Sequence, residues 1–272
     1  MEKTVVKVGG SAITYKDVES FPLTIDKIKE NAHNYINNSS LKRLVTEIYS
    51  ANPFPLIFVH GVGPFGHYLV EKQHMLSRKE IIHESVAYLN EIVTSYFKGL
   101  GKKVSSCAPF DYCKYVGNGK FDMIDLFRES ELALALNGML ITYGDIVPTT
   151  LNVKGNCGSY QVISGDDLVI HLAELWGAKR IIVVTDVDGF FNKDPKVYKD
   201  GALIKEIKSR EKLMISETRK RIDVTGVMPE KIRKLQIAAS KGIKSQIING
   251  LKKDNLKKAL LRDESIGTLI LP

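Results

Sequence analysis

Short apolar runs alternate along the chain with longer stretches of helical spacing. Lys3 to Val8 reads as a strand that runs into the turn Gly9-Gly10-Ser11. Residues 25–50 carry helical periodicity with a break near Asn37-Asn38-Ser39-Ser40, and residues 55–60 form a second apolar strand. Residues 79–99 predict one long helix with Ile82, Val86, Leu89, Val93 and Phe97 on one face. Lys103 to Ser106 is a short strand, Gly117-Asn118-Gly119 a turn, 124–137 a helix and Met139 to Tyr143 a strand closed by Gly144-Asp145. Val147 to Val162 reads as a hairpin about Lys154-Gly155-Asn156. Ser164 caps a helix through Leu175, with Asp166 and Asp167 in its first turn. Arg180 to Thr185 is a β-branched strand, 225–240 a helix, Lys244 to Ile248 a strand, 253–261 a helix, and Thr268 to Leu271 a last edge strand. Strands alternating with helices predict an α/β fold: an open, mostly parallel twisted sheet with helices on both faces, an αβα sandwich. A seam is expected near residue 165. It separates an N-terminal lobe, 1–165, from a C-terminal lobe, 166–272, on one continuous sheet. Internal repeats, low-complexity stretches and linkers are not evident.

Length and composition narrow the classes. The chain has 272 residues, 44% apolar and 26% charged, ordinary for a globular protein. No apolar run approaches the roughly 20 residues that span a bilayer, so no membrane partner is expected. The N-terminus enters a strand directly, so a signal peptide is not expected. Cys107, Cys113 and Cys157 are an odd count without metal-ligand spacing; reduced thiols and a cytoplasmic location are expected. The net charge of +8 raises a nucleic-acid reading. The basic residues are dispersed, densest in the last quarter, and not interleaved with aromatics. Attraction of small polyanions such as nucleotides fits better than nucleic acid.

The candidate chemistry lies at strand ends. His60-Gly61-Val62-Gly63-Pro64-Phe65-Gly66-His67 joins a strand to a helix start. Glycines there let backbone N–H groups approach an anion, and a helix N-terminus adds about half a positive charge. Read alone, the segment is equally a tight turn without a ligand. Three more loops share this position: Lys7-Val8-Gly9-Gly10-Ser11, Gly144-Asp145 and Thr185-Asp186-Val187-Asp188-Gly189. In open α/β sheets ligands gather beyond the carboxyl ends of the strands. Two glycine turns with lysines beside them suit two neighbouring phosphates, the demand of phosphoryl transfer. The chain lacks both G-x-x-x-x-G-K-[ST] and the protein-kinase motifs.

Five motifs in order carry a resemblance. They are Lys7-Val8-Gly9-Gly10-Ser11, the glycine loop, Ile163-Ser164-Gly165-Asp166-Asp167, Thr185-Asp186-Val187-Asp188-Gly189 with Lys193-Asp194-Pro195-Lys196, and Asp223-Val224-Thr225-Gly226-Val227-Met228. Together they resemble the amino acid kinase superfamily, across residues 4 to 271. Within it, His67, Lys16 and Gly144-Asp145-Ile146-Val147 resemble the isopentenyl phosphate kinases. A fosfomycin-pathway kinase acting on a phosphonate shares the pattern. Val62 and Pro64 in the glycine loop, and Val227 where relatives carry a second glycine, depart from it.

The resemblance implies ATP as donor, Mg²⁺ held mainly by the nucleotide and not by a protein cage, and a homodimer. It assigns Lys7, Lys16 and His67 to the transfer itself, with Asp145 and Asp166 orienting the lysines. Gly61, Gly63, Gly66, His67 and Gly144 would hold the acceptor's phosphate. Val86 and Leu89, with Tyr88 and Val93, are the expected wall for its hydrocarbon tail, or else simply core. Gly9, Gly10, Ser11, Gly165, Thr185, Asp186, Asp188, Gly189, Lys196, Gly226, Met228 and Lys231 would face the nucleotide. His60 is expected to be structural and bonded to backbone. A phosphate monoester is largely anionic near neutral pH, its second pKa being about 6. It needs no general base, whereas a hydroxyl acceptor does. A site rich in Lys and His therefore fits phosphate better. Another phosphate, a phosphonate or a mevalonate-derived acceptor stays open, as does a nucleotide-binding protein without turnover.

Overall fold

Val5, Val6 and Val8, Leu56 to Val59 and Ile181 to Val184 are aliphatic runs buried on both sides. Continuous apolar runs of this kind belong to strands covered on both faces. The computed structural model describes residues 2–15, 18–71, 79–150, 160–193, 195, 197–211 and 224–272. In chain order the strands are β1 (Thr4–Val8), β2 (Leu56–His60), β3 (Ser105–Ser106), β4 (Lys114–Gly117), β5 (Lys120–Asp122), β6 (Met139–Tyr143) and β7 (Asp145–Pro148). There follow β8 (Tyr160–Ile163), β9 (Arg180–Thr185), β10 (Phe190–Phe191), β11 (Leu203–Ile204), β12 (Glu206–Lys208), β13 (Lys244–Asn249) and β14 (Thr268–Leu271). The helices are α1 (Gly10–Ile13), α2 (Ile25–Asn31), α3 (Asn38–Ala51), α4 (His67–Glu71), α5 (Lys79–Gly99), α6 (Pro109–Tyr112), α7 (Ile124–Asn137), α8 (Gly165–Trp176), α9 (Val224–Ser240) and α10 (Asn255–Leu260).

One eight-stranded sheet runs in the order β12-β14-β13-β9-β1-β2-β6-β3. From β13 to β3 every pairing is parallel. Residue alternation splits the core. Val6, Val8, Phe58 and Val184 face α2, α3, α5 and α10. Val5, Ile57, Val59 and Val183 face α7, α8 and α9. From β1 the chain builds outward through β2 and β6, then crosses back to β9 on the other side of β1. The centre of the sheet is therefore a switch point, where ligands bind in this class of fold.

Local signals set the boundaries. Asn37 caps α3 by accepting from the Ser40 amide at 3.0 Å, which divides α2 from α3 at the expected break. Ser164 caps α8 by accepting from the Asp167 amide at 3.1 Å. The N-terminus of α10 lacks a side-chain cap of its own. Buried Glu47 on α3 supplies it, accepting from the amides of Asp254, Leu256 and Lys257.

One reading is corrected and one is extended. Thr268–Leu271 is not an edge strand: β12 pairs with it in parallel, Ile207 opposite Ile270, while β14 runs antiparallel to β13. With one buried residue between two exposed ones, β12 is too short for alternation to reveal. The turn at Gly117-Asn118-Gly119 closes a small hairpin, β4–β5, that apolar patterning does not show. The hairpin expected over Val147 to Val162 has its stems in β7 and β8, paired Asp145 to Ile163 through Pro148 to Tyr160. Its centre, Lys154-Gly155-Asn156, lies outside the described residues, as does Cys157. Cys107 and Cys113 are buried free thiols, with pKa values pushed up by burial to about 11 and about 12. So few thiolates at neutral pH make them poor nucleophiles.

Candidate active site

Lys7 sits at the end of β1, and alternation sends its side chain with Val5 toward α8 and α9. It is buried, and its Nζ donates to Asp166 Oδ1 at 2.7 Å. Asp166 stands in the first turn of α8. Lys231 on α9, also buried, donates to both Asp166 oxygens at 2.8 Å. One carboxylate thus bridges two buried ammonium groups. Burial alone would raise the Asp166 pKa; the charges and hydrogen bonds of Lys7 and Lys231 outweigh it and hold the carboxyl well below the usual range. The Lys231 pKa is lowered to about 8 by burial and by Lys7, against the pull of Asp166. Three charges, two of them positive, leave the centre electropositive. Such a site attracts phosphates.

The two glycine turns meet beside this centre. The Gly9 amide donates to the Val184 carbonyl at 2.8 Å, and the Gly61 amide to the Val8 carbonyl at 2.8 Å. A Cβ on Gly10 would lie 2.5 Å from the Gly63 nitrogen, inside contact distance. The backbones pack so closely that a side chain at Gly10 would push the turns apart. Gly63 further requires φ +50. A Cβ on Gly66 would meet Val62, and one on Gly144 would lie 3.3 Å from the Gly165 nitrogen. Gly165 itself packs on Lys7, with Cε 3.3 Å from its Cβ position.

His67 is the first residue of α4 and keeps an exposed edge. The protein atoms around it nevertheless lower its pKa, as does Lys7, while Glu71 and Asp166 raise it. Lys7 and Asp166 are therefore within electrostatic reach, and a neutral imidazole is favoured at neutral pH. His60 is fully buried with its pKa lowered to about 4 by desolvation. Its ring stacks on Tyr143 at 5.3 Å and bonds the Gly61 carbonyl through Nδ1 at 3.1 Å, the structural place expected of it.

Several of the residues expected at the nucleotide meet beyond the end of β9. Ser11 and Thr185 both donate to Asp186 Oδ1 at 3.2 Å. Asp188 accepts from Lys252 and Asn249, and the Lys252 bond pulls its pKa down. Gly189 has φ +147, and a Cβ there would press on Thr268. Gly226 falls in the first turn of α9 and Met228 at the start of the second. Lys16 and Lys196 lie outside the described residues. Lys231, expected at the nucleotide, is bonded to Asp166 beside Lys7.

Asp145 takes a partner other than the one expected. Among the described residues its carboxylate meets no lysine; Oδ2 accepts from His83 Nδ1 at 2.9 Å and Oδ1 from the Ile146 amide at 2.8 Å. Burial pushes the Asp145 pKa up, more than His83 pulls it down. Burial alone would lower the His83 pKa, but the bond to Asp145 and its charge raise it. Val86 and Leu89 take the second of the two places expected of them, the core. Their side chains are buried against the sheet in the core under α5 and present no open wall. The half-buried rings on that side are Phe110, stacked on His83 at 4.1 Å, and Tyr160, stacked on Phe110 at 5.8 Å. Sequence reading missed these, and missed Asn249 and Lys252. The one signal was His83 itself, a polar residue flanking an apolar helical stripe.

Among the described residues no group of three or more His, Cys, Asp and Glu could hold a metal ion. Nor is any helix of the described residues long and apolar enough to cross a membrane. A sequence profile described as the amino acid kinase family matches residues 2–249. The chain belongs to that family. It is a small-molecule kinase, and membership implies ATP use. An isopentenyl phosphate kinase of Methanothermobacter thermautotrophicus is 33% identical, covering 98% of each chain. A glutamate 5-kinase of a Thermoanaerobacter species is 28% identical over 99% of this chain and 68% of its own. A solved isopentenyl phosphate kinase superposes with TM-score 0.77 at 27% identity, covering 98% of this chain and 99% of that one.

Proposed function

We propose that the chain transfers the γ-phosphoryl group of ATP to the phosphate of isopentenyl phosphate, forming isopentenyl diphosphate and ADP. An acceptor phosphate oxygen forms the new P–O bond as the bond from Pγ to the β-phosphate's bridging oxygen breaks, in line. The attacking oxygen is already anionic, so no proton has to leave it. Lys7 and Lys231 neutralise charge as it moves between donor and acceptor, and Asp166 fixes both ammonium groups. The glycine turn at 61–66 and a neutral His67 hold the acceptor phosphate, while the turn at 9–11 faces the donor. The resemblance assigns Lys16, which lies outside the described residues, to the same transfer. Mg²⁺ would come with the donor nucleotide and would supply further charge neutralisation beside Lys7 and Lys231.

One observation carries the choice of a phosphate acceptor. Both buried carboxylates at the strand ends are already engaged, Asp166 by two lysines and Asp145 by His83. Asp166, with its pKa pushed down, is a poor base. Residues 1–165 supply the acceptor side and 166–272 the nucleotide side, in a cytoplasmic homodimer. Light scattering on the eluting protein tests the dimer.

A hydroxyl-bearing, mevalonate-derived acceptor is the second reading. The observation favouring it is the His83–Asp145 pair, since a carboxylate-oriented imidazole is a general-base arrangement. An ADP-release assay across isopentenyl phosphate, other phosphates, phosphonates and mevalonate derivatives separates the readings. Turnover strongest with isopentenyl phosphate, and at least about tenfold weaker in His67→Ala, is expected. Protein that binds ATP yet ignores isopentenyl phosphate overturns that substrate.

A further inference from the structure

The His83–Asp145 contact joins two parts of the chain 62 positions apart. Asp145 follows Gly144, whose amide reaches the His60 carbonyl at 3.4 Å and whose α-carbon packs on Gly165. Gly165 in turn packs on Lys7. The Gly144 corner is thus one layer from the phosphate centre. Asp145 has no exposed side-chain surface, and its carboxylate accepts from the Ile146 amide, from the Phe110 backbone and, through Oδ2, from His83 as its side-chain donor. Removing His83 leaves a buried carboxylate oxygen without that donor. A buried acceptor left unpaired costs more than the bond itself contributes, so the corner would shift to find water.

His83 is itself fixed. Its ring stacks on Phe110, and Phe110 on Tyr160, whose hydroxyl accepts from Lys79 at 3.0 Å. Helices α5 and α6 and strand β8 therefore set the ring plane before any ligand arrives. Preorganisation of this kind matters because small displacements of a phosphate seat are expensive in rate.

We propose that His83 is a positioning residue for the acceptor: it holds Asp145, and through it the Gly144 corner on which the acceptor's phosphate rests. The inference depends on the phosphate-acceptor reading above, and it assigns His83 no contact with the reacting atoms.

The test compares His83→Leu, His83→Asn and His83→Gln, using the best acceptor of the panel. Asn places an amide N–H where Nδ1 stands and keeps the donor to Asp145; Gln places it near Nε2 and does not. The expected result is a tenfold or larger rise in acceptor KM for Leu and Gln. ATP KM should stay within about twofold and kcat within about threefold. Asn should return acceptor KM to within about threefold of wild type. The Asn–Gln pair decides the matter even where Leu fails to fold. Equal losses toward both substrates, or Asn no better than Gln, overturn the positioning role. A collapse of kcat at unchanged acceptor KM also overturns it and points to general-base chemistry. Wild type that phosphorylates no member of the panel removes the functional reading and this inference together. Wild-type turnover with unaltered His83 variants removes this inference alone.

Discussion

Two aspartates lie at one end of the β7–β8 ribbon, Asp145 at the start of β7 and Asp166 in the first turn of the helix after β8, and their surroundings drive them in opposite directions. Asp166 lies between two ammonium groups 2.7 and 2.8 Å away, and its carboxyl is held well below the usual range. Asp145 is buried against one imidazole, and burial wins: its pKa is raised. The lesson is that burial alone does not set the charge of a carboxyl. The number and permanence of its cationic partners decide. Two lysines make Asp166 a fixed anion suited to holding positive charge in place. One titratable histidine makes Asp145 part of a pair whose proton can relocate.

The contrast predicts unequal costs. Asp166→Asn leaves Lys7 and Lys231 buried without a counter-charge, and breaking such a group costs about 3–5 kcal/mol. Unfolding by denaturant should show that loss, and kcat should fall by about a hundredfold or more. Asp145→Asn keeps an acceptor for His83 and should cost about 1 kcal/mol. Similar losses in the two variants would break the comparison.

Next in size is the glycine contact. Gly10→Ala puts a methyl against the Gly63 amide, and overpacking of this kind costs about 1–3 kcal/mol. Both substrates should bind more weakly, because the turns face both. An alanine variant with native melting and native KM values would mean the turns are looser than drawn.

The pH dependences sharpen the contrast. Asp166 has a folded pKa below its unfolded value of 3.8. Its stabilisation is therefore complete above 3.8 and is lost as pH falls through the depressed value. Asp145 and His83 are both raised. Their contributions are present below their unfolded values and are lost as pH rises through the folded ones. Unfolding free energies against pH should therefore flatten on the acid side for Asp166→Asn, and nearer neutrality for His83→Asn. Flattening at the opposite ends would reverse the assignment.

The smallest effect concerns Lys231. With its pKa near 8, the rate should decline as pH rises past that point and the ammonium loses its proton. Lys231→Arg should move the decline to higher pH while lowering the rate only modestly. An unchanged alkaline limb would assign it to another group.

Much of this was legible in the sequence. Uninterrupted aliphatic runs announced the parallel strands, and α5 and α7 match their periodic spans residue for residue. Lys7 and Asp166 could be named because each sits next to a strong boundary signal, a strand end and a cap. Their mutual contact spans 159 positions, and only the fold brings them together. The same limit hid His83. Its meaning depends on Asp145 and Phe110, which local periodicity cannot pair with it. Val86 and Leu89 show the converse, since an apolar stripe reads alike whether it faces a ligand or the sheet. The three-residue β12 carried too little pattern to be seen at all.

The claim that a phosphate, and not a hydroxyl, accepts the transferred group is tested most directly by phosphorus NMR of the product. Incubation with isopentenyl phosphate and ATP should yield two mutually coupled phosphorus signals, the mark of a P–O–P linkage, and Lys7→Met should abolish them. No diphosphate from isopentenyl phosphate, with two uncoupled monoester signals from a phosphorylated mevalonate derivative instead, would contradict the account.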